Sequence, residues 1–151
     1  MSGTIEAICV SSAKGMVKTA VPAARLVAGH GIVGDAHAGD WHRQVSILAG
    51  ESIDRLRALM PEIGDGAFAE NLVVRGIELR TMAVGDRLLI GAGIQLEVTQ
   101  IGKECHQGCV IREKTGDCIM PREGIFCRVL AGGDIAPGDA VALCESPGAL
   151  R

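Results

Sequence analysis

The run Arg87-Leu88-Leu89-Ile90-Gly91-Ala92-Gly93-Ile94-Gln95-Leu96-Glu97-Val98-Thr99-Gln100-Ile101 carries the signal that decides the fold. Two short apolar stretches, 87–90 and 94–101, lie either side of a glycine-rich break, and both read as strands. The same pattern recurs along the chain. Ile5–Val10, Arg25–Val27, Gln44–Ala49, Asn71–Val74 and Ala140–Cys144 are further strand candidates, and Val45, Ile47 and Ala49 alternate as one buried face would. Turn residues, including many of the 21 glycines, separate them.

Two segments read as helices. Glu51–Met60 places Ile53, Leu56, Leu59 and Met60 at helical spacing, with Pro61 as a stop. Pro121–Ala131 begins on proline, sets Ile125, Phe126, Val129 and Leu130 on one face, and meets Gly132-Gly133 at its end. Many short strands and few helices predict a mainly β barrel or sandwich with the helices packed outside. A local echo links Met82–Ile90 to Ile135–Leu143, each with Gly-Asp before an apolar strand. Shared turn chemistry explains it without duplication. With no repeat period or linker, one domain over residues 1–151 is expected.

Composition excludes several function classes. The 151 residues suffice for a core without disulfides or a structural metal. Only Trp41, Phe68 and Phe126 are aromatic, too few to stack successive bases of a single strand. A net charge of -3 speaks against a general phosphate-backbone binder. The N-terminus lacks the blocks of a signal peptide, and no apolar run reaches the roughly 18 residues of a membrane span. The expected location is the cytoplasm, where the six cysteines stay reduced. Cys9, Cys127 and Cys144 read as small buried hydrophobes.

The chemistry concentrates in four clusters. Gln100–Cys109 holds Lys103, Cys105, His106 and Cys109 within seven positions. Neighbouring positive charge favours the thiolate, so Cys105 suits a persulfide or a soft metal. Zinc on Cys105, His106, Cys109 and Cys118 is an alternative, although only one cysteine pair has the usual spacing. Inert thiols are a third. The loop 29–43 carries His30, Asp35, His37, His42 and Arg43 among glycines that let a ligand approach the backbone. Glu70 and Asn71 lie between Phe68 and a valine-rich strand, where either could face a pocket or close its own turn. Arg112, Lys114, Arg122 and Arg128 follow the cysteines, and Arg122 at a helix start would make an anion site. Lys114 reads as surface charge. Neither a dinucleotide fingerprint nor a P-loop is present.

These clusters, in this order, resemble the MOSC family, the domain named after the C-terminal part of molybdenum cofactor sulfurase. The matching stretches are Gly31–His37, Arg43–Ser46, Phe68–Leu72, Val98–Gln100 leading to Cys105, and Arg128–Leu130 before Ile135–Asp139. The likeness is greatest to the stand-alone bacterial branch. It implies a β-barrel that binds the molybdenum cofactor (molybdopterin) or a precursor, or transfers sulfur toward a metal–sulfur centre. Cys105 then stands as sulfur carrier or metal ligand, with Lys103 and His106 beside it and Cys109 as a second ligand candidate. Arg43, Asn71, Arg112 and Arg128 become candidates for gripping the pterin and its phosphate, with His37 and His42 at the rim. The chain departs from many relatives in Ile101-Gly102-Lys103-Glu104 before the cysteine and in having Cys109 and Cys118. It lacks a pyridoxal-phosphate domain, so a separate sulfur donor or molybdoenzyme partner is expected. Two rivals stand beside this reading: a non-catalytic domain with structural zinc, and a molybdenum-dependent reductase of N-hydroxylated compounds served by an electron donor.

Overall fold

The computed structural model describes residues 2–14, 16–102 and 119–144, without the side chains of Pro121 and Arg122. Eleven strands are seen among these residues: β1 (Ser2–Val10), β2 (Thr19–Val21), β3 (Ala24–Val27), β4 (Gly31–Ile32), β5 (Val45–Ala49), β6 (Leu72–Arg75), β7 (Arg87–Ile90), β8 (Ile94–Ile101), β9 (Ile125–Ala131), β10 (Gly133–Ile135) and β11 (Ala140–Cys144). Helix α1 spans Gly50–Arg57, a 3-10 turn spans Leu79–Thr81, and the one-turn helix α2 spans Met120–Glu123.

The strands run in the order β11-β7-β8-β9-β5-β6-β1, and β1 pairs back onto β11, which closes a seven-strand barrel. β2 extends the sheet beyond β1, while β10, β3 and β4 form a separate three-stranded sheet. The sheet is antiparallel except for β5 against β6. That parallel pair needs a crossover, which α1 supplies.

Alternation along the strands separates two apolar clusters. Ile5, Ile8, Val45, Ile47, Leu72, Val74, Leu96, Val98, Ile125, Cys127 and Val129 fill the barrel interior. Ala7, Cys9, Leu48, Val73 and Phe126 face outward and pack under Ile53 and Leu56 of α1 and under Ile119 and Met120. Val45 through Leu48 is therefore buried on both faces, whereas alternation predicted one. α1 begins one residue earlier than expected and ends sooner, leaving Leu59 67% exposed while Met60 is buried.

The predicted helix over Pro121–Ala131 is overturned. Proline begins only the single turn α2, Gly124 leaves it with extended backbone, and Ile125–Ala131 is a central barrel strand. The anion site expected at a helix start near Arg122 loses its helix. Cys144 is only half-buried, unlike Cys9 and Cys127.

The echo between 82–90 and 135–143 has a physical origin. Asp86 Oδ2 accepts from Ala83 N–H at 2.9 Å, and Asp139 Oδ2 accepts from Ala136 N–H at 2.8 Å. Gly85 and Gly138 both hold φ at +97°, where glycine meets no Cβ penalty. The two turns launch β7 and β11, which pair with each other.

Candidate functional site

The polar loop 29–43 ends against the outer face of β8 and β9, beside Phe126. Arg43 lies with its guanidinium carbon 4.8 Å from the centre of the Trp41 ring and 5.6 Å from that of Phe126. Its Nε is buried and has no hydrogen-bond partner among the described residues. A buried N–H of this kind favours an incoming acceptor. Lys14 Nζ also sits 4.5 Å from the Trp41 ring centre, and the His37 ring stacks on the indole at 6.3 Å. One indole thus organises three nitrogen-bearing side chains, with His42 meeting it edge-on.

His42 Nε2–H donates to Gln100 Oε1 at 2.8 Å, and Gln100 Nε2 donates to the Gly102 carbonyl at 2.8 Å. The Thr99 hydroxyl lies against the carbonyls of His42 and Phe126. The loop is therefore fastened to the bulged end of β8, where the register shifts between Val98 and Gln100. Gln44 secures its other side, donating to Gly39 O at 3.0 Å and accepting from Val129 N–H at 2.9 Å.

Beneath the loop lies a charged pair that sequence reading missed in half. Lys18 Nζ is 2.7 Å from Asp35 Oδ1, and both side chains are fully buried. Asp35 also accepts from Ser11 N–H and from His37 N–H, each at 3.1 Å. Burial opposes ionisation of Asp35, but the Lys18 ammonium and these backbone donors prevail and hold the carboxyl below its usual range. Lys18 stands in no motif, and its partner is seventeen residues away. A lysine in an otherwise apolar and small-residue stretch, Met16–Val21, is the only signal that could have marked it.

The other expected residues divide. His37, His42 and Arg43 meet around Trp41. Arg128 points outward from β9 two residues past Phe126, and its guanidinium is paired with Glu97, Nε at 2.7 Å and Nη2 at 2.6 Å from Oε1. Asn71 is fully buried, and its amide bonds within the fold: Nδ2 to Cys9 O at 3.0 Å, Oδ1 from Ser46 N–H at 3.0 Å. Glu70 closes its own turn, accepting from Gly66 N–H at 2.8 Å and Phe68 N–H at 3.0 Å, and burial pushes its carboxyl up. Lys103, Cys105, His106, Cys109, Arg112, Lys114 and Cys118 lie outside the described residues. Among the described residues no three His, Cys, Asp or Glu side chains converge as a metal site. No helix among them is long and apolar enough to cross a membrane.

Comparison with known proteins agrees with this architecture. The model of the MOSC domain family matches residues 34–142, and the chain belongs to that family, which is associated with the molybdenum cofactor. The fold is that of the YUAD protein from Bacillus subtilis: TM-score 0.80 at 22% identity, covering 96% of this chain and 97% of that one. YiiM from Geobacillus stearothermophilus superposes with a TM-score of 0.67 at 21% identity, over 97% of this chain and 79% of that one. A curated protein of Gibberella moniliformis named "Reductase" is 29% identical over 134 residues, 78% of this chain. The match spans 23% of that relative's length.

Proposed function

We propose that this protein binds the molybdenum cofactor or a precursor of it on the outer face beside β8 and β9, and that Cys105 serves there as sulfur carrier or metal ligand. The observation that carries the reading is Arg43. Its guanidinium is held between the Trp41 and Phe126 rings with a buried Nε–H that has no partner among the described residues, beside the strand end that leads to Cys105. Cys105 follows Gly102 by three residues, a tether of at most about 11 Å.

The described donors fit an anionic pterin. Arg43 and Lys14 supply positive charge, Trp41 a flat apolar surface, and His37 and His42 polar groups at the rim. Arg112 is proposed to add a second phosphate contact, and Arg128 to join once released from Glu97. Asn71 contributes by holding β6 in place. When bound, the cofactor supplies a soft, sulfur-ligated metal, which a thiolate suits. As a carrier, the Cys105 thiolate attacks the terminal sulfur of a donor persulfide. A new S–S bond forms on Cys105, and the donor leaves as its thiolate. Lys103 and His106 favour the ionised thiol. This chemistry needs reduced thiols, and we place the protein in the cytoplasm.

Native mass spectrometry of the purified protein tests the reading. Bound pterin or a persulfide (+32 Da), lost in Cys105→Ser with the fold intact, is the expected result. Stoichiometric zinc, with equal loss of stability in Cys105→Ser and Cys109→Ser, would establish the structural-metal rival, because binding energy is then folding energy. The Gibberella moniliformis relative named "Reductase" favours a second use of the same site, a reduction, for which N-hydroxylated compounds are the substrates we propose. That use requires bound cofactor and a separate electron donor.

A further inference from the structure

Three charged residues stand in one row across the outer face of the barrel. Arg87 on β7 lies directly opposite Glu97 on β8, and Glu97 lies directly opposite Arg128 on β9. Their chain neighbours Leu88, Leu96, Val98, Cys127 and Val129 fill the interior, so all three leave the other side of the sheet. One carboxylate therefore has a guanidinium on each flank, with Cβ atoms roughly 5 Å away on either side. Glu97 uses only one of them. Arg128 Nε and Nη2 both lie against Glu97 Oε1, at 2.7 and 2.6 Å, and neither contact uses Oε2. Arg87 Nε is buried and has no hydrogen-bond partner among the described residues.

We propose that Glu97 is a two-position carboxylate, held by Arg128 in the empty site and taken over by Arg87 when an oxyanion claims Arg128. Arg87 is then a positioning residue: it acts by drawing away the carboxylate that competes for Arg128. The present pair is easily opened. Its side chains are 52% and 21% exposed, and an ion pair in contact with water holds weakly. The grip on Oε1 alone also falls short of the two-oxygen fork a guanidinium forms with a carboxylate or phosphate. An unmet buried N–H, on the other side, rewards the acceptor that reaches it.

The placement gives the two arginines different roles. Arg128 stands two residues from Phe126 on the same face of β9, about 7 Å along the strand, and the Arg43 guanidinium lies over Phe126. Arg87 is two strands farther round the barrel, roughly 10 Å from Arg128, with Glu97 between them. A phosphate-like group presents two oxygens to the Arg128 fork, which Glu97 does not do here. Moving Glu97 to Arg87 keeps its charge paired and carries it away from the incoming anion. That an oxyanion is the trigger rests on the function proposed above; the exchange between the two arginines does not.

Correlation of 15N and 1H in the arginine Nε–H groups of the ligand-free protein tests the exchange. The Arg87 signal is assigned by its loss in Arg87→Lys. In Arg128→Met it should move downfield as Arg87 Nε–H gains a carboxylate acceptor, and in the double variant E97A/R128M that move should vanish. An Arg87 signal that stays in place in Arg128→Met, or moves equally without the Glu97 carboxylate, would overturn the proposal. Inorganic phosphate added to the wild type should move the signal in the same sense. Arg87→Met should weaken phosphate binding, followed by Trp41 fluorescence, by up to about five-fold. In a Glu97→Ala background the same substitution should change little, and equal weakening in both backgrounds would make Arg87 a direct anion contact and refute the exchange. A response to Arg128→Met with none to phosphate would support the exchange and overturn the site reading.

Discussion

Asn71 Nδ2 donates to the Cys9 carbonyl at 3.0 Å, while Asn71 N–H meets both the carbonyl and the hydroxyl of Ser46 at 3.0 Å. One buried amide thus joins β1, β5 and β6 where the β1–β6 ladder stops. Replacing it with alanine leaves Ser46 N–H without its side-chain acceptor. We expect Asn71→Ala to cost about 2–4 kcal/mol. In urea the midpoint should fall with an unchanged slope, and a fully folded variant of wild-type stability would refute the assignment.

Acid should reach Asp35 only after Glu70, because Asp35 is held below the usual carboxylate range and Glu70 above it. The folded pKa of Asp35 lies below the unfolded value of about 3.9, so its contribution is present above that pH and lost as pH falls through the folded value. Glu70 has the opposite sign. Its folded pKa is raised by burial, so ionisation costs stability, and the cost is relieved as pH drops. Asp35→Asn should lose about 3–5 kcal/mol at pH 7, because it strands the buried Lys18 ammonium, and the gap to wild type should close as pH falls below about 3.9. Urea midpoints across that range are the check; a constant gap between the two proteins would contradict the pairing.

Arginine at position 43 should be irreplaceable by lysine. A guanidinium lies flat between rings and offers its Nε–H, whereas an ammonium does neither. Arg43→Lys is expected to weaken cofactor retention roughly ten- to a hundred-fold with little change in thermal stability. Trp41 is the sole tryptophan and the chain has no tyrosine, so its fluorescence reports binding at this place alone.

Thiol chemistry should be sharply uneven. Burial, helped by the Glu70 and Asp65 carboxylates, pushes Cys9 up to about 12, and burial pushes Cys127 higher still. At pH 8 roughly one Cys9 thiol in ten thousand is ionised. Brief alkylation of native protein, read by peptide mass spectrometry, should leave Cys9 and Cys127 unmodified and label Cys105. Rapid labelling of Cys127 without unfolding would contradict the packed barrel.

The strands flanked by strong turns were legible in the sequence to the residue. β7, β8 and β11 have the expected limits because Gly-Asp and Gly-Ala-Gly fix where each begins or breaks. β9 was not legible, and its packing explains why. Ile125, Cys127 and Val129 fill the interior while Phe126 joins the outer cluster, so period-two alternation disappears and a helical spacing emerges by coincidence. Around the site, His37, His42 and Arg43 stood out as residue types in a glycine-rich loop. Lys18 did not, because its meaning depends on Asp35 and Ser11 arriving from other parts of the chain.

The seam between β1 and β11, where Ser2 faces Ala142, makes the two flanks of the barrel next-door neighbours. Unzipping that seam would bare the backbone edges of both β1 and β11 at once, so barrel closure leaves neither strand as a template for pairing with another copy.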